Sequence, residues 1–122
     1  MKKLLITLLL ISPFSFADWG DVYYCQMTNY SEVSLEGERK NYKLEKFQFK
    51  LDEAKNAMVF GSSGVFAGSV IKLSDDGRAW PAQETWFGNT KYSMLYFAKG
   101  KFLYVRTGSQ GSDSISADCD KF

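Results

Sequence analysis

Apolar and polar side chains alternate with a period of two along much of the chain. In one stretch Phe47, Phe49 and Leu51 are separated by Gln and Lys residues, and the stretch from Ile115 to Cys119 alternates in the same way. A period of two places the apolar residues on one face of a β-strand and the polar residues on the other. The pattern therefore predicts strands that are buried on one side and solvated on the other.

Eight segments rich in Val, Ile, Phe and Tyr are separated by clusters of Gly, Asp, Asn and Ser. Residues 31–40 carry the one helical pattern, and their Val and Gly residues make that helix a weak prediction. The Asp-Gly pair within residues 74–77 is a strong hairpin signal and predicts a tight turn there. We predict antiparallel strands at residues 22–29, 42–51, 57–60, 65–73, 78–87, 91–97, 101–107 and 114–119.

The first 17 residues, MKKLLITLLLISPFSFA, have the three parts of a secretory signal peptide. Two Lys residues precede an apolar stretch, and Ser15 and Ala17 are the small residues of a cleavage site. The apolar stretch is shorter than the roughly 18 residues that a membrane-spanning helix requires. We expect residues 1–17 to be a bacterial signal peptide and residues 18–122 to be one exported domain. A lipoprotein would need Cys where Asp18 stands, so we expect a periplasmic or secreted protein.

Two cysteines lie near the two ends of the expected domain, at Cys25 and Cys119. Exported proteins meet oxidising conditions, so the pair predicts a disulfide rather than two reactive thiols. If both side chains point inward, the first and last strands are neighbours, and eight hairpin-linked strands whose ends meet form an up-and-down barrel. The fold prediction is all-β: a single small antiparallel β-barrel or half-open roll of about eight meander strands, its ends tied by a disulfide. A two-sheet sandwich of the same strands is the alternative.

Composition and charge exclude several classes of chemistry. The chain contains no His, which excludes a Ser-His-Asp site, a Cys-His site and a His-ligated zinc. It has 15 basic and 14 acidic residues, and removal of the two signal-peptide lysines leaves 13 against 14. This balance does not favour nucleic acid as a partner. We expect no cofactor, no metal site and no catalytic site.

The most unusual local feature is Glu84, which stands between Trp80 and Trp86. Large aromatic residues beside a carboxylate are typical of surfaces that contact carbohydrates and proteins. The two Trp residues are six positions apart and share a face of a regular strand, so a buried pair explains them at least as well. If they are exposed, they predict a concave site for a small ligand or a glycan. A weak carboxylate-based hydrolase, a further alternative, would depend on Glu84.

A second candidate surface lies in the hairpin expected from residues 92–106, whose strands are apolar on both faces. Tyr92 and Tyr96 share one face of the first strand, and Phe102 and Tyr104 share one face of the second. A strand that is apolar on both sides is either covered on its outer face or carries a contact patch. If the partner is a protein, we expect these four side chains to form an exposed patch that binds it.

The layout resembles that of the small periplasmic lysozyme inhibitors of the membrane-bound C-type inhibitor family. The resemblance rests on Cys25, Cys119 and the meander of strands, with residues 97–101, Phe-Ala-Lys-Gly-Lys, matching part of an aromatic, glycine and lysine pattern. It implies an exported antiparallel barrel with an inhibitor-like role. No individual binding residue is carried over from that family.

These observations predict a non-catalytic exported binding or inhibitor-like module that acts through an aromatic surface. Its partner would be an envelope or extracellular protein, or alternatively a small ligand or glycan. We expect no stable membrane insertion, because Lys46 and Lys50 would face lipid if the strands crossed a membrane with their apolar face inward.

Overall fold

A computed structural model describes residues 17–80 and 85–122, with residues 75–80 described by their backbone alone. All regular structure in these ranges is β. No helix of the described residues is long and apolar enough to cross a membrane. The strands are β1 (Val22–Ser34), β2 (Arg39–Asn41), β3 (Lys46–Asp52), β4 (Ala57–Phe60), β5 (Val70–Trp80), β6 (Thr85–Asn89), β7 (Ser93–Ala98), β8 (Lys101–Gly108) and β9 (Gly111–Lys121).

Eight of these strands form a closed antiparallel barrel. From β3 to β9 each strand pairs with the next along the chain, and β1 pairs with both β3 and β9. The short strand β2 pairs with the far end of β1 and extends the sheet beyond the barrel. The prediction of a barrel is confirmed, and the sandwich alternative is not what the chain forms.

The ring of strands closes along β1 and β9, which we call the seam. Cys25 lies directly opposite Cys119 in the ladder of the seam, and the two side chains form a disulfide. Both cysteines are buried, as their inward-facing positions predict. The disulfide prediction is confirmed, and it joins residues 94 positions apart in the sequence.

Aromatic side chains fill the interior of the barrel. Phe49, at the centre, lies within 6.0 Å, between ring centroids, of Tyr23, Phe60, Phe97 and Phe102. Such ring pairs add to the stabilisation that burial of their apolar area provides. The interior is therefore a packed core, as expected for an eight-stranded barrel.

The two ends of the barrel are closed by different parts of the chain. At the end where β1 begins, Trp19 packs edge-to-face on Trp86 with ring centroids 4.9 Å apart. At the other end, which we call the mouth, the loop of residues 61–68 inserts Phe66 between Phe47, Phe60 and Tyr104. Phe66 is buried although it lies in a loop.

The weak helical candidate at residues 31–40 does not form a helix. Ser31, Glu32 and Val33 continue β1 and pair on one side with β2 and on the other with β9. Backbone pairing on both sides satisfies the hydrogen-bonding groups that a helix would satisfy internally, and the local helical preference was weak.

The tight turn predicted from the Asp-Gly pair of residues 74–77 is also wrong. These residues lie within β5, whose register against β6 shifts between Leu73, opposite Gly88, and Arg78, opposite Trp86. β5 has more residues than β6 between these two paired positions, as in a β-bulge. Gly77 therefore lies within a strand and not in a turn. The strand expected at 65–73 begins only at Val70, because residues 61–68 form the loop that closes the mouth.

Candidate functional site

A surface site was a candidate around Trp80, Glu84 and Trp86, but Trp86 does not lie at the surface. That side chain is 0% exposed and lies in the core against Trp19. It points inward because β6 alternates, with Trp86 and Gly88 facing the interior and Thr85 and Phe87 facing outward. Trp80 ends β5, where its backbone pairs with Thr85. Glu84, on which the alternative of a carboxylate-based hydrolase depends, lies outside the described residues.

The second predicted surface is divided between the outside and the inside of the barrel. Tyr92 and Tyr96 are exposed, whereas Phe102 is 2% exposed and Tyr104 is half-buried with its ring on Phe66. Including Phe102 and Tyr104 in an exposed patch was therefore wrong. The reason is register: Phe97 is opposite Phe102, so both face inward, and Tyr96 is opposite Leu103, so both face outward.

The outer wall formed by β6, β7 and β8 carries two rows of apolar side chains. The first row runs across the strands through Phe87, Tyr96 and Leu103, and the second runs through Met94 and Val105. Directly opposite residues of antiparallel strands share a face, so the rows lie side by side. We call these five residues the outer patch. Phe87 and Tyr96 are in ring contact, with centroids 4.9 Å apart.

Polar residues border the outer patch. On β9 the two rows end at Ser116 and Ser114, and on β6 the second row ends at Asn89. Beyond the first row, Lys101 and Asp118 form an exposed ion pair with Nζ and Oδ1 2.7 Å apart. An apolar centre with a polar rim is the usual arrangement of a protein-binding surface.

A shallow groove of about 450 Å³ adjoins the outer patch. Tyr96, Leu103 and Thr28 line it, together with the Lys101–Asp118 pair. Small residues, Ala98, Ser116 and Ala117, also line it. The sequence did not single out Met94, Leu103, Val105 or Phe87. These residues lie in segments that are apolar at consecutive positions, which indicates apolar side chains on both faces of the strand. The pairing register then decides which of these side chains face outward.

A separate, more enclosed pocket of about 110 Å³ lies at the mouth. Tyr30, Phe66 and Tyr104 line it with rings, and Arg106 and Asp113 line it with charges. Arg106 Nη2 donates a hydrogen bond to Asp113 Oδ2, and this bond raises the pKa of the guanidinium. Burial and the nearby Asp113 carboxylate raise the pKa of Tyr30, so its phenol stays protonated.

The ring of Tyr42 packs on the ring of Tyr30, with centroids 4.7 Å apart. Its hydroxyl donates a 2.6 Å hydrogen bond to Glu32 Oε1. This bond to the carboxylate is the main cause that raises the pKa of Tyr42 to about 12. This cluster was not predicted, because Tyr42 meets Tyr30 and Glu32 only when the short strand β2 folds back on β1.

Acidic residues do not gather into a metal-binding group within the ranges described. No three of the His, Cys, Asp and Glu side chains there are placed to hold an ion together. Asp113 and Asp118 are each engaged with a basic residue. Both cysteines are in the disulfide, so neither supplies a thiolate nucleophile.

Comparison with known proteins finds no relative: no family model, no curated protein and no solved structure matches the chain. The likeness to the lysozyme inhibitors therefore remains one of layout, a small barrel tied by a cysteine near each end.

Proposed function

We propose that the chain is a non-catalytic exported binding module that engages a protein partner through the outer patch. The single observation that carries the proposal is the pair of apolar rows on the outside of a barrel whose interior is already filled. Tyr96, Met94 and Leu103 are each more than two-fifths exposed, at 42%, 47% and 44%. These side chains contribute nothing to the core, and contact with a partner would remove them from water.

The contrast with β3 supports a specific role for this wall. On β3 the outward positions are Lys46, Gln48 and Lys50, which is the usual polar exterior of an antiparallel sheet. On β7 and β8 the equivalent positions carry an aromatic ring, a thioether and branched aliphatic side chains. Aromatic and Met side chains are enriched in protein interfaces, whereas Lys is depleted.

The scaffold also favours binding. The patch residues lie on strands hydrogen-bonded on both sides, so little backbone freedom is lost when a partner docks. A rigid, preformed surface of this kind can cover part of another protein, as an inhibitor does. The disulfide and the signal-peptide pattern of residues 1–17 support export, so the partner would be an envelope or extracellular protein.

The proposal is tested with a patch variant and a control matched in exposure. The patch variant carries Tyr96→Ala and Leu103→Ala, and the control carries Tyr24→Ala and Leu44→Ala, whose side chains are 45% and 46% exposed elsewhere on the surface. Each tagged protein is expressed in the cells that produce it naturally. It is recovered with its bound proteins after cross-linking, and the bound proteins are quantified by mass spectrometry.

We expect the wild type and the control to recover the same envelope or extracellular protein, and the patch variant to lose it by about tenfold or more. Thermal unfolding of each variant reports whether the barrel is intact. Equal recovery by a folded patch variant, or the same loss in the control, would contradict binding through the outer patch.

A further inference from the structure

The mouth pocket is built between two tyrosines that flank one isoleucine. Tyr30 on β1 is opposite Ile115 on β9, and Ile115 is opposite Tyr104 on β8. Neighbouring strands are about 4.8 Å apart, so the backbones that carry the two tyrosines are separated by about 9.6 Å. Ile115 is buried between them and forms the floor. The tyrosines are therefore placed as two facing walls.

Phe66 supplies a third wall from a different part of the chain. Its ring stands almost perpendicular to that of Tyr104, at 86° with centroids 4.9 Å apart. The loop that carries it is held in place by Val65 N–H, which donates a 3.0 Å hydrogen bond to Glu45 Oε1. The enclosed space of about 110 Å³ equals roughly three to four water molecules in volume. A single methylated ammonium group has about this size, whereas a hexose sugar is larger.

The charges around the pocket are mainly negative. Among the described residues, the carboxylates of Glu32, Glu45 and Asp113 raise the pKa of the Tyr30 hydroxyl, and the guanidinium of Arg106 lowers it. The guanidinium of Arg106 is more than half exposed to solvent and is bound to Asp113, whose side chain is largely buried. A ligand in the pocket would therefore meet three ring surfaces, with the carboxylates of Asp113, Glu32 and Glu45 nearby.

We propose that the mouth pocket binds the methylated ammonium group of a small organic cation. The faces of aromatic rings attract cations, and cages of such rings are suited to quaternary ammonium groups. The methyl groups gain from contact with Ile115 and the rings, and the charge gains from the nearby carboxylates. This site shares no residue with the outer patch, which lies on the outside of the wall. The two binding proposals can therefore be refuted independently.

The proposal is tested by titrating the folded, oxidised protein with choline and with tetramethylammonium, both as chlorides. The uncharged isostere 3,3-dimethyl-1-butanol, which replaces the nitrogen of choline with carbon, is the matched control ligand. Sodium chloride at equal ionic strength controls for salt. Binding is followed by NMR through the ring protons of Tyr30 and Tyr104 and the methyl groups of Ile115.

We expect saturable shifts at these three residues with a dissociation constant on the order of 1 mM for both cations. The uncharged isostere should bind about tenfold more weakly. Equal binding of the isostere would show an apolar cavity without charge selection and would overturn the proposal, as would shifts that do not saturate. A peptide containing trimethyllysine distinguishes the sources: if it binds as well as choline, the ligand can be part of a protein, and if it does not, the ligand is a free cation.

Variants locate the site. Tyr30→Leu removes one ring, and Asp113→Asn removes the nearest negative charge, so each should weaken choline binding by about tenfold. The controls are Tyr24→Leu and Asp118→Asn, which alter an exposed tyrosine and an ion-paired aspartate away from the pocket. If the two pocket variants fold and bind choline as the wild type does, the assignment is wrong. Because Asp113 pairs with Arg106, Tyr30→Leu provides the test should Asp113→Asn fail to fold.

Discussion

Cys25 and Cys119 are direct partners across the seam, with their Cα atoms 4.0 Å apart. This is the close spacing of residues that face each other without exchanging backbone hydrogen bonds in an antiparallel ladder. The covalent bond therefore lies inside the barrel, where the first and last strands of the ring already pair. It fastens a contact that backbone pairing and side-chain packing also favour.

Loss of the disulfide should lower stability without changing the fold. Closing a loop between residues 94 positions apart restricts the unfolded chain strongly. We expect replacement of both cysteines by Ser to reduce the free energy of unfolding by about 2–5 kcal/mol. Urea unfolding followed by tryptophan fluorescence measures the loss, and far-UV circular dichroism reports the strands. An unchanged unfolding midpoint would show that packing alone holds the seam.

Much of the fold was predictable because a period of two in the sequence determines which side chains face inward. Phe47, Phe49 and Leu51 all lie in the core, as their spacing requires. Alternation does not show which strands are neighbours. The cysteine pair predicted that the first and last strands pair and so close the barrel. The prediction of a turn at the Asp-Gly pair was wrong because the pairing of β5 with β6 outweighed the local turn preference.

Phe49 should be among the most sensitive positions in the core. It is 1% exposed and contacts rings from β1, β4, β7 and β8. Phe49→Ala leaves a cavity among these rings and should cost about 3–5 kcal/mol of stability. Tyr92→Ala, at an exposed site, should change stability by less than about 0.5 kcal/mol. Equilibrium denaturation of both variants makes the comparison, and similar losses would refute the packed-core description.

Gly88 should resist substitution because β6 approaches β5 closely at that point. A Cβ at Gly88 would lie 2.5 Å from the carbonyl oxygen of Lys72, whereas a Cβ at Gly108 would have no atom within 4 Å. We expect Gly88→Ala to cost about 1–3 kcal/mol and Gly108→Ala to be close to neutral. Thermal unfolding of the pair measures this. Equal melting temperatures would mean that β5 and β6 adjust freely.

Tyr42 should titrate at about pH 12, well above the ordinary tyrosine pKa of 10.0, because its hydroxyl donates to Glu32. Since the folded protein holds this proton more tightly than the unfolded chain, the contribution of the bond to stability is complete below pH 10. It is lost as the pH rises through 12. Glu32→Gln should move the pKa of Tyr42 back towards 10. NMR titration of the tyrosine ring carbons checks both values, and a Tyr42 signal insensitive to Glu32→Gln would contradict this origin of the shift.

The candidate surfaces were only partly predictable because sequence patterns do not specify register. Tyr92 and Tyr96 are exposed as expected, but the partner of Tyr96 across the hairpin is Leu103 and not Phe102. A shift of one residue would have exchanged Phe102 and Leu103 between core and surface. The mouth pocket could not be predicted from sequence patterns, because Tyr30, Phe66 and Tyr104 come together only when the barrel closes.

The meander also determines the order in which contacts can form. Most strand pairs in the barrel join neighbours along the chain, and such hairpins close at small cost in chain entropy. Among the strand pairs described, the seam alone brings together the two ends of the domain, so we expect it to form last. Until then β1 and β9 are two unpaired sheet edges, the kind of surface from which aggregation begins. An early bond between Cys25 and Cys119 would keep these edges close together and shorten the interval during which another chain could pair with them.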